Sequence, residues 1–261
     1  MLHNLISWRP KFGLRRASDK EGRARIFHRE EDFAAVYAMS DIHGCYEQLV
    51  EAHRKIELDA ATIAGPKLIA LLGDYVDRGP DSDKVLEFLC EPPPPGLQRL
   101  ALCGNHDAEF INLYRRPSTL RQWFGFAGPE TLTSYGIDPK LILQRPSETG
   151  QFDRILHDAI PRSHIELLES LPVLLQVGRV VFVHAGIRPG IPLDRQKDSD
   201  LMWIREPFLT DGPGLPFVVV HGHTPSGKPD IGTQRLGIDT AVSATGKLTI
   251  LKMSAGRFST L

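Results

Sequence analysis

Three times in succession the chain runs from a short apolar stretch, through a charged loop, into a helix-patterned segment. "AAVYAMS" leads into "DIHG" and then "CYEQLVEAHRKIEL", where Leu49, Ala52, His53 and Ile56 recur at helical spacing. "PKLIALLG", "DYVDRGPDS" and "DKVLEFLC" repeat the order, and a stiff Pro92–Pro95 connector follows. "LQRLALCG", "NHD" and "AEFINLYRR" complete a third unit. Serial units of this kind need crossover connections, so they predict an α/β fold with a largely parallel inner sheet.

The segment from about Pro117 to Ser170 breaks the pattern. Trp123, Phe124 and Phe126 lie among glycines and prolines before polar helical stretches, as in an inserted cap. Beyond it, "VLLQVGRVVFVHAGI" predicts two strands around a tight Gly178-Arg179 hairpin. "LPFVVVHGHTP" and "LGIDTAVSATGKLTILKM" predict further strands, the last with a Thr245-Gly246 turn. The expected architecture is a layered α/β/β/α sandwich, one domain over 34–261, whose charged loops gather at the C-terminal ends of strands.

A length of 261 residues supports one enzyme-sized core. The formal net charge of -1 lacks the basic excess of nonspecific nucleic-acid binding, so any bound anion must be held locally. Cys45, Cys90 and Cys103 form no CxxC pair, which fits a reducing, cytoplasmic setting better than a disulfide framework. No apolar run approaches the roughly 20 residues of a membrane span, and no secretory signal pattern opens the chain. Residues 1–29 hold eight Lys/Arg against two Asp/Glu, and residues 1–33 are expected to be a mobile basic arm.

The strand-end loops carry the chemistry: Asp41 and His43; Asp74, Asp77 and Arg78; Asn105 and His106; His184; then His221 and His223. Carboxylate, amide and imidazole donors without thiolates suit manganese, iron, cobalt or zinc in a reactive site rather than structural zinc. A shared carboxylate, for which Asp74 is the natural candidate, holds two ions about 3.5 to 4 Å apart, and metal coordination makes hydroxide available near neutral pH. Arg78 suits a phosphoryl group by its planar fork. His106 held by Asp77 would protonate the leaving oxygen. Gly73 and Gly79 allow the chain to turn closely around this cluster.

Taken in order, "SDIHG", "GDYVDRG", "GNHD", "VHAG" and "HGHT", spanning Ser40 to Thr224, resemble the calcineurin-like metallophosphoesterases. Within them the resemblance is to the phosphoprotein phosphatase family, in its compact bacterial and phage branch. It implies one ion on Asp41, His43 and Asp74, and a second on Asp74, Asn105, His184 and His223. It also implies His106 as general acid, Asp77 as its orienting partner and Arg78 as a phosphate clamp. Arg205 in "LMWIREP" is the expected second clamp, with Arg188 as competitor. His221 is expected to be a packing or supporting histidine, Asp239 a support from a strand end, and His53, His157 and His164 ordinary surface or packing residues. Asp107 stands where many protein phosphatases have Glu.

The function this implies is dinuclear, manganese-type hydrolysis of a phosphate monoester, with phosphoserine or phosphothreonine in a protein as substrate. The alternative is a hydrolase of diadenosine tetraphosphate or a related nucleotide. Members of that branch often lack an acid at the position of Asp77, which places the phosphatase first. A metal-bound adaptor without turnover is the reading from another class.

Overall fold

The only two apolar residues of "RIFH", Ile26 and Phe27, lie within β1 (Arg25–His28), which pairs in parallel with β5 (Leu174–Val177). This computed structural model describes residues 22–139 and 151–261. The arm expected over 1–33 therefore does not reach its predicted end: residues 25–28 are a sheet edge, because β5 offers them a backbone ladder. Residues 1–21 lie outside the described residues.

The three predicted units form as read. β2 (Ala35–Met39), β3 (Lys67–Leu71) and β4 (Leu97–Ala101) pair in parallel, with α1 (Tyr46–Ala60) and α2 (Ser82–Cys90) as crossovers and α3 (Asn105–Arg115) after β4. Antiparallel β10 (Leu251–Ser254) and β11 (Arg257–Thr260) extend this sheet to the order β11-β10-β2-β3-β4. The second sheet contains β5, β6 (Val180–Val183), β7 (Val218–His221), β8 (Asp230–Gly232) and β9 (Arg235–Gly237), in the order β1-β5-β6-β7-β9-β8. β5 and β6 form the expected antiparallel hairpin, whereas β6, β7 and β9 run parallel.

Alternation along the inner strands explains the layers. Val36, Ala38, Leu68 and Ala70 join Leu175, Val177, Phe182 and Val220 in a core between the sheets. Tyr37, Met39, Ile69 and Leu71 point the other way, into the cluster that holds Leu49 and Ile56 of α1 and Val85 and Leu86 of α2. Strands buried on both faces read as continuous apolar runs, which is why they were legible. The result is the α/β/β/α sandwich.

The insert contains α4 (Leu120–Phe126), α5 (Glu130–Ser134), α6 (Gln151–Ala159) and α7 (Arg162–Ser170). It is more than a surface cap, for Trp123, Leu132, Leu156 and Leu168 belong to the main core. His164 is buried between the Tyr135 hydroxyl at 2.7 Å and Glu87 at 3.0 Å, a packing role as expected. One local expectation changes: Val242–Thr245 is a helical turn, closed by Gly246 at φ 71, instead of strand. The Thr245 hydroxyl bonds back to the Thr240 and Ala241 carbonyls there. Among the described residues no helix is long and apolar enough to cross a membrane.

Candidate active site

Every predicted metal ligand follows the C-terminal end of a strand: Asp41 and His43 after β2, Asp74 after β3, Asn105 after β4, His184 after β6 and His223 after β7. All six are buried, although they are polar. The backbone is bent to bring them inward: Asp41, His43, Asp74, Asp77, Arg78 and His223 all have φ between 46° and 73°. Left-handed geometry costs a non-glycine residue roughly 1–2 kcal/mol, so this concentration marks a site held in place by its surroundings.

Part of that restraint comes from Asp107. Its carboxylate accepts the backbone N–H groups of Asp74, Tyr75 and Gly104, each at 2.8 Å, and so fixes the turn after β3 against the start of α3. The N–H of His106 in the first turn of α3 donates to Asp74 Oδ1 at 3.0 Å. Close approach does the rest. A Cβ on Gly104 would collide with the Asp74 carboxylate, and one on Gly222 with that of Asp41.

The imidazoles are oriented by their far sides. His43 Nδ1 meets the Val76 carbonyl at 2.8 Å, His184 Nδ1 meets the Leu72 carbonyl at 2.9 Å, and the Trp203 carbonyl engages the His223 ring. Burial holds the His43 pKa well below the ordinary value, His184 at about 4 and His223 at about 2, so all three are neutral at pH 7. A neutral ring that donates its one N–H to the backbone turns a bare lone pair to the other side.

Those lone pairs face oxygens that are also acceptors. His184 Nε2 lies 3.4 Å from Asp74 Oδ2 and 2.8 Å from Asn105 Oδ1, and His223 Nδ1 is 2.9 Å from the same Asn105 oxygen. His43 Nε2, 3.6 Å from Asp74 Oδ2, is buried with no hydrogen-bond partner. Acceptors converging without a proton between them need a cation, so these residues fit divalent metal. Donor atoms of Asp74, His184 and His223 fall within 4.8 Å of one another, as do those of His43, Asp74 and His106. Asp74 is common to both groups, the position expected of a bridge.

Asp41 lies outside these two tight groups. Its carboxylate accepts the backbone N–H of His223 at 3.0 and 3.1 Å, and His106 rather than Asp41 completes the tight group with His43 and Asp74. Burial, opposed by the His223 N–H, lifts the Asp41 pKa to about 6. Burial raises Asp74 further, reinforced by the negative charges of Asp41 and Asp107. A bound cation would reverse that penalty.

His106 Nδ1 lies 2.7 Å from Asp77 Oδ2, the predicted pair, and Arg78 donates to His106 Nε2 at 3.2 Å. Burial, aided by the Arg78 charge, pushes His106 down to about 3. The residue that sequence reasoning missed is Thr131 of α5. Its hydroxyl donates to Asp77 Oδ1 at 2.6 Å and accepts the Asp77 N–H at 2.7 Å. Nothing in a five-residue polar helix signals this; only the fold brings the insert to the dyad.

Arg205 is exposed, near enough for its charge to depress His223, and no carboxylate among the described residues pairs with it. Arg188, its competitor, is committed to Asp200 at 2.6 and 3.0 Å. His221 packs edge-on to Phe208 with ring centroids 5.1 Å apart and is outside both metal-type groups. Asp239 accepts the Ala241 N–H at 2.8 Å, and burial lifts its pKa to about 7. His53 is buried on α1, and His157 contacts Tyr114.

The asymmetrical bis(5'-nucleosyl)-tetraphosphatase PrpE of Geobacillus thermodenitrificans is 27% identical over 237 residues, covering 82% of this chain and 88% of the relative. The enzyme of the same name from Oceanobacillus iheyensis is 26% identical over 240 residues, covering 84% and 89%. In fold, the chain is similar to a solved structure described as a candidate diadenosine tetraphosphatase, with TM-score 0.61, 20% identity and coverage of 91% and 97%. It is also similar to a protein serine/threonine phosphatase from Saccharomyces cerevisiae, with TM-score 0.54, 15% identity and coverage of 91% and 83%. The calcineurin-like phosphoesterase family matches residues 34–244, from the strand before Asp41 past His223 and Asp239, and the chain belongs to that family.

Proposed function

We propose that this chain is a two-metal phosphohydrolase that splits dinucleoside tetraphosphates unequally, into a nucleoside monophosphate and a nucleoside triphosphate. The carrying observation is the set of bare imidazole nitrogens of His43, His184 and His223 around Asp74 and Asn105, beside the Asp77–His106 pair. The choice of substrate rests on the tetraphosphatase relatives, each spanning more than four-fifths of both chains. This reverses the order expected from sequence, where Asp77 placed a phosphoprotein first.

Asp41, His43 and Asp74 would hold one ion, and Asp74, Asn105, His184 and His223 the other, and the oxygen and nitrogen donors suit manganese, iron, cobalt or zinc. When bound, such ions lower the pKa of water towards roughly 7 and neutralise phosphoryl charge. Arg78 and Arg205 grip the non-bridging oxygens. The Arg78 contact with His106 Nε2 uses one terminal nitrogen of the guanidinium, which leaves its other N–H groups for phosphate. For Nε2 to carry a proton to the leaving oxygen the Arg78 nitrogen must move off it, a shift that phosphate binding would favour, while Asp77 steadies the imidazolium. Water adds to phosphorus and releases its proton to solvent, the P–O bond to the leaving nucleotide breaks, and His106, having taken a proton from solvent at the freed Nε2, passes it to the leaving oxygen.

The intact dyad favours a second activity, phosphate monoester hydrolysis. An acid contributes most when the leaving group is a poor one such as an alkoxide, and phosphoserine is of that kind. Parallel measurement of kcat/KM for diadenosine tetraphosphate and a phosphothreonine peptide separates the two. The tetraphosphate is expected to exceed the peptide at least tenfold; the opposite order would make the protein phosphatase the better reading.

A further inference from the structure

The mouth of the site has an aromatic wall that hydrolysis itself leaves unused. Phe126, at the end of α4, stacks on His106 with centroids 4.2 Å apart and planes at 26°. Trp203 ends the helix α8 (Asp198–Trp203), meets Phe126 at 5.4 Å and sits edge-on to His223 at 6.2 Å. Both rings remain open to solvent, Phe126 at 36% and Trp203 at 41%. Two residues beyond Trp203 stands the exposed Arg205, which no carboxylate among the described residues pairs with.

A flat π surface beside an exposed guanidinium, both against the groups that would hold phosphate, suits an aromatic heterocycle linked to a phosphate chain. Phosphoserine and phosphothreonine have no ring to place there. Trp203 is the better platform of the two, because the His106 ring already covers one face of Phe126.

We propose that the Phe126–Trp203 wall, with Trp203 as its principal surface, stacks a purine base of the substrate while Arg205 engages the adjoining phosphate. The choice of a nucleotide rests on the tetraphosphatase reading, so the test reads binding without turnover. Calorimetry would compare AMP with ribose 5-phosphate on the manganese-loaded full chain, on Trp203→Ala and on Trp203→Phe. Wild type is expected to bind AMP roughly tenfold more tightly than the base-free sugar phosphate, Trp203→Ala to bring the ratio near one, and Trp203→Phe to keep most of it.

Equal binding of the two ligands by wild type, or an AMP preference that survives in Trp203→Ala, overturns the assignment. Tighter binding of a phosphotyrosine peptide than of AMP overturns it in favour of an aryl phosphate. A base preference in a protein that leaves diadenosine tetraphosphate intact supports the subsite and removes the tetraphosphatase reading. Turnover of the tetraphosphate with no base preference removes the subsite alone.

Discussion

The Thr131 hydroxyl lies 2.6 Å from Asp77 Oδ1, while the N–H of the same aspartate returns to Thr131 at 2.7 Å. With Asp77 Oδ2 2.7 Å from His106 Nδ1, a residue of the insert reaches the proposed acid through one carboxylate. Thr131 is fully buried and does not touch the metal-type groups.

Thr131 is accordingly a positioning residue, and its removal should depend on the leaving group. Thr131→Val is predicted to slow hydrolysis of phosphoserine roughly tenfold, a part of the 10²–10⁴ that general acid catalysis supplies, and to spare 4-nitrophenyl phosphate. Thr131→Ser should restore the rate. Equal slowing of both substrates would indicate a merely structural role.

His106→Asn tests the acid itself. His106 is not among the residues that would hold either ion, so metal content measured by plasma mass spectrometry is predicted to stay largely in place. The rate on an alkyl phosphate should fall by about 10²–10⁴. Wild-type activity of this variant on that substrate would remove His106 from the role.

Asp74→Asn should behave differently. Asp74 is the carboxylate common to both ligand groups, so the amide is predicted to lower bound metal and activity together. Full metal occupancy in the variant would show that Asp74 is not the bridge.

Away from the site, His53 carries a pH dependence of stability. It is buried on α1 against Phe88, 3.9 Å from Glu57, and burial, with the Arg99 charge, pushes its pKa down to about 4 from 6.5. Above pH 6.5 both folded and unfolded forms are neutral there. Between pH 6.5 and 4 only the unfolded chain takes the proton, so stability falls as pH falls, by up to about 3 kcal/mol, and levels below 4. Urea unfolding of wild type and His53→Leu at pH 7.5, 5.5 and 4.5 isolates this contribution. Parallel pH slopes in the two proteins would contradict it.

What was legible in the sequence follows from how local its cause is. β2 and β3 are buried on both faces and so announce themselves as apolar runs, while β4 is a half-buried edge strand carrying Gln98 and Arg99 that is read from its place in the repeated order; their ends locate Asp41, Asp74 and Asn105. The hairpin at Gly178-Arg179 is fixed by neighbours in the chain. β1 was hidden because Ile26 and Phe27 sit in a basic segment and pair with β5, far away in sequence. Thr131 is 54 residues from Asp77, and its position has no periodic or compositional signature. Asp107 was visible as a residue, yet its service to three backbone N–H groups exists only once β3 and α3 meet. The aromatic wall likewise joins the insert to α8.

The proposed function stands most directly on the products of one reaction. Manganese-loaded protein incubated with diadenosine tetraphosphate, resolved by ion-exchange chromatography, is predicted to yield AMP and ATP in equal amounts. ADP as the sole product, or an intact tetraphosphate in a preparation that dephosphorylates a phosphothreonine peptide, would contradict it.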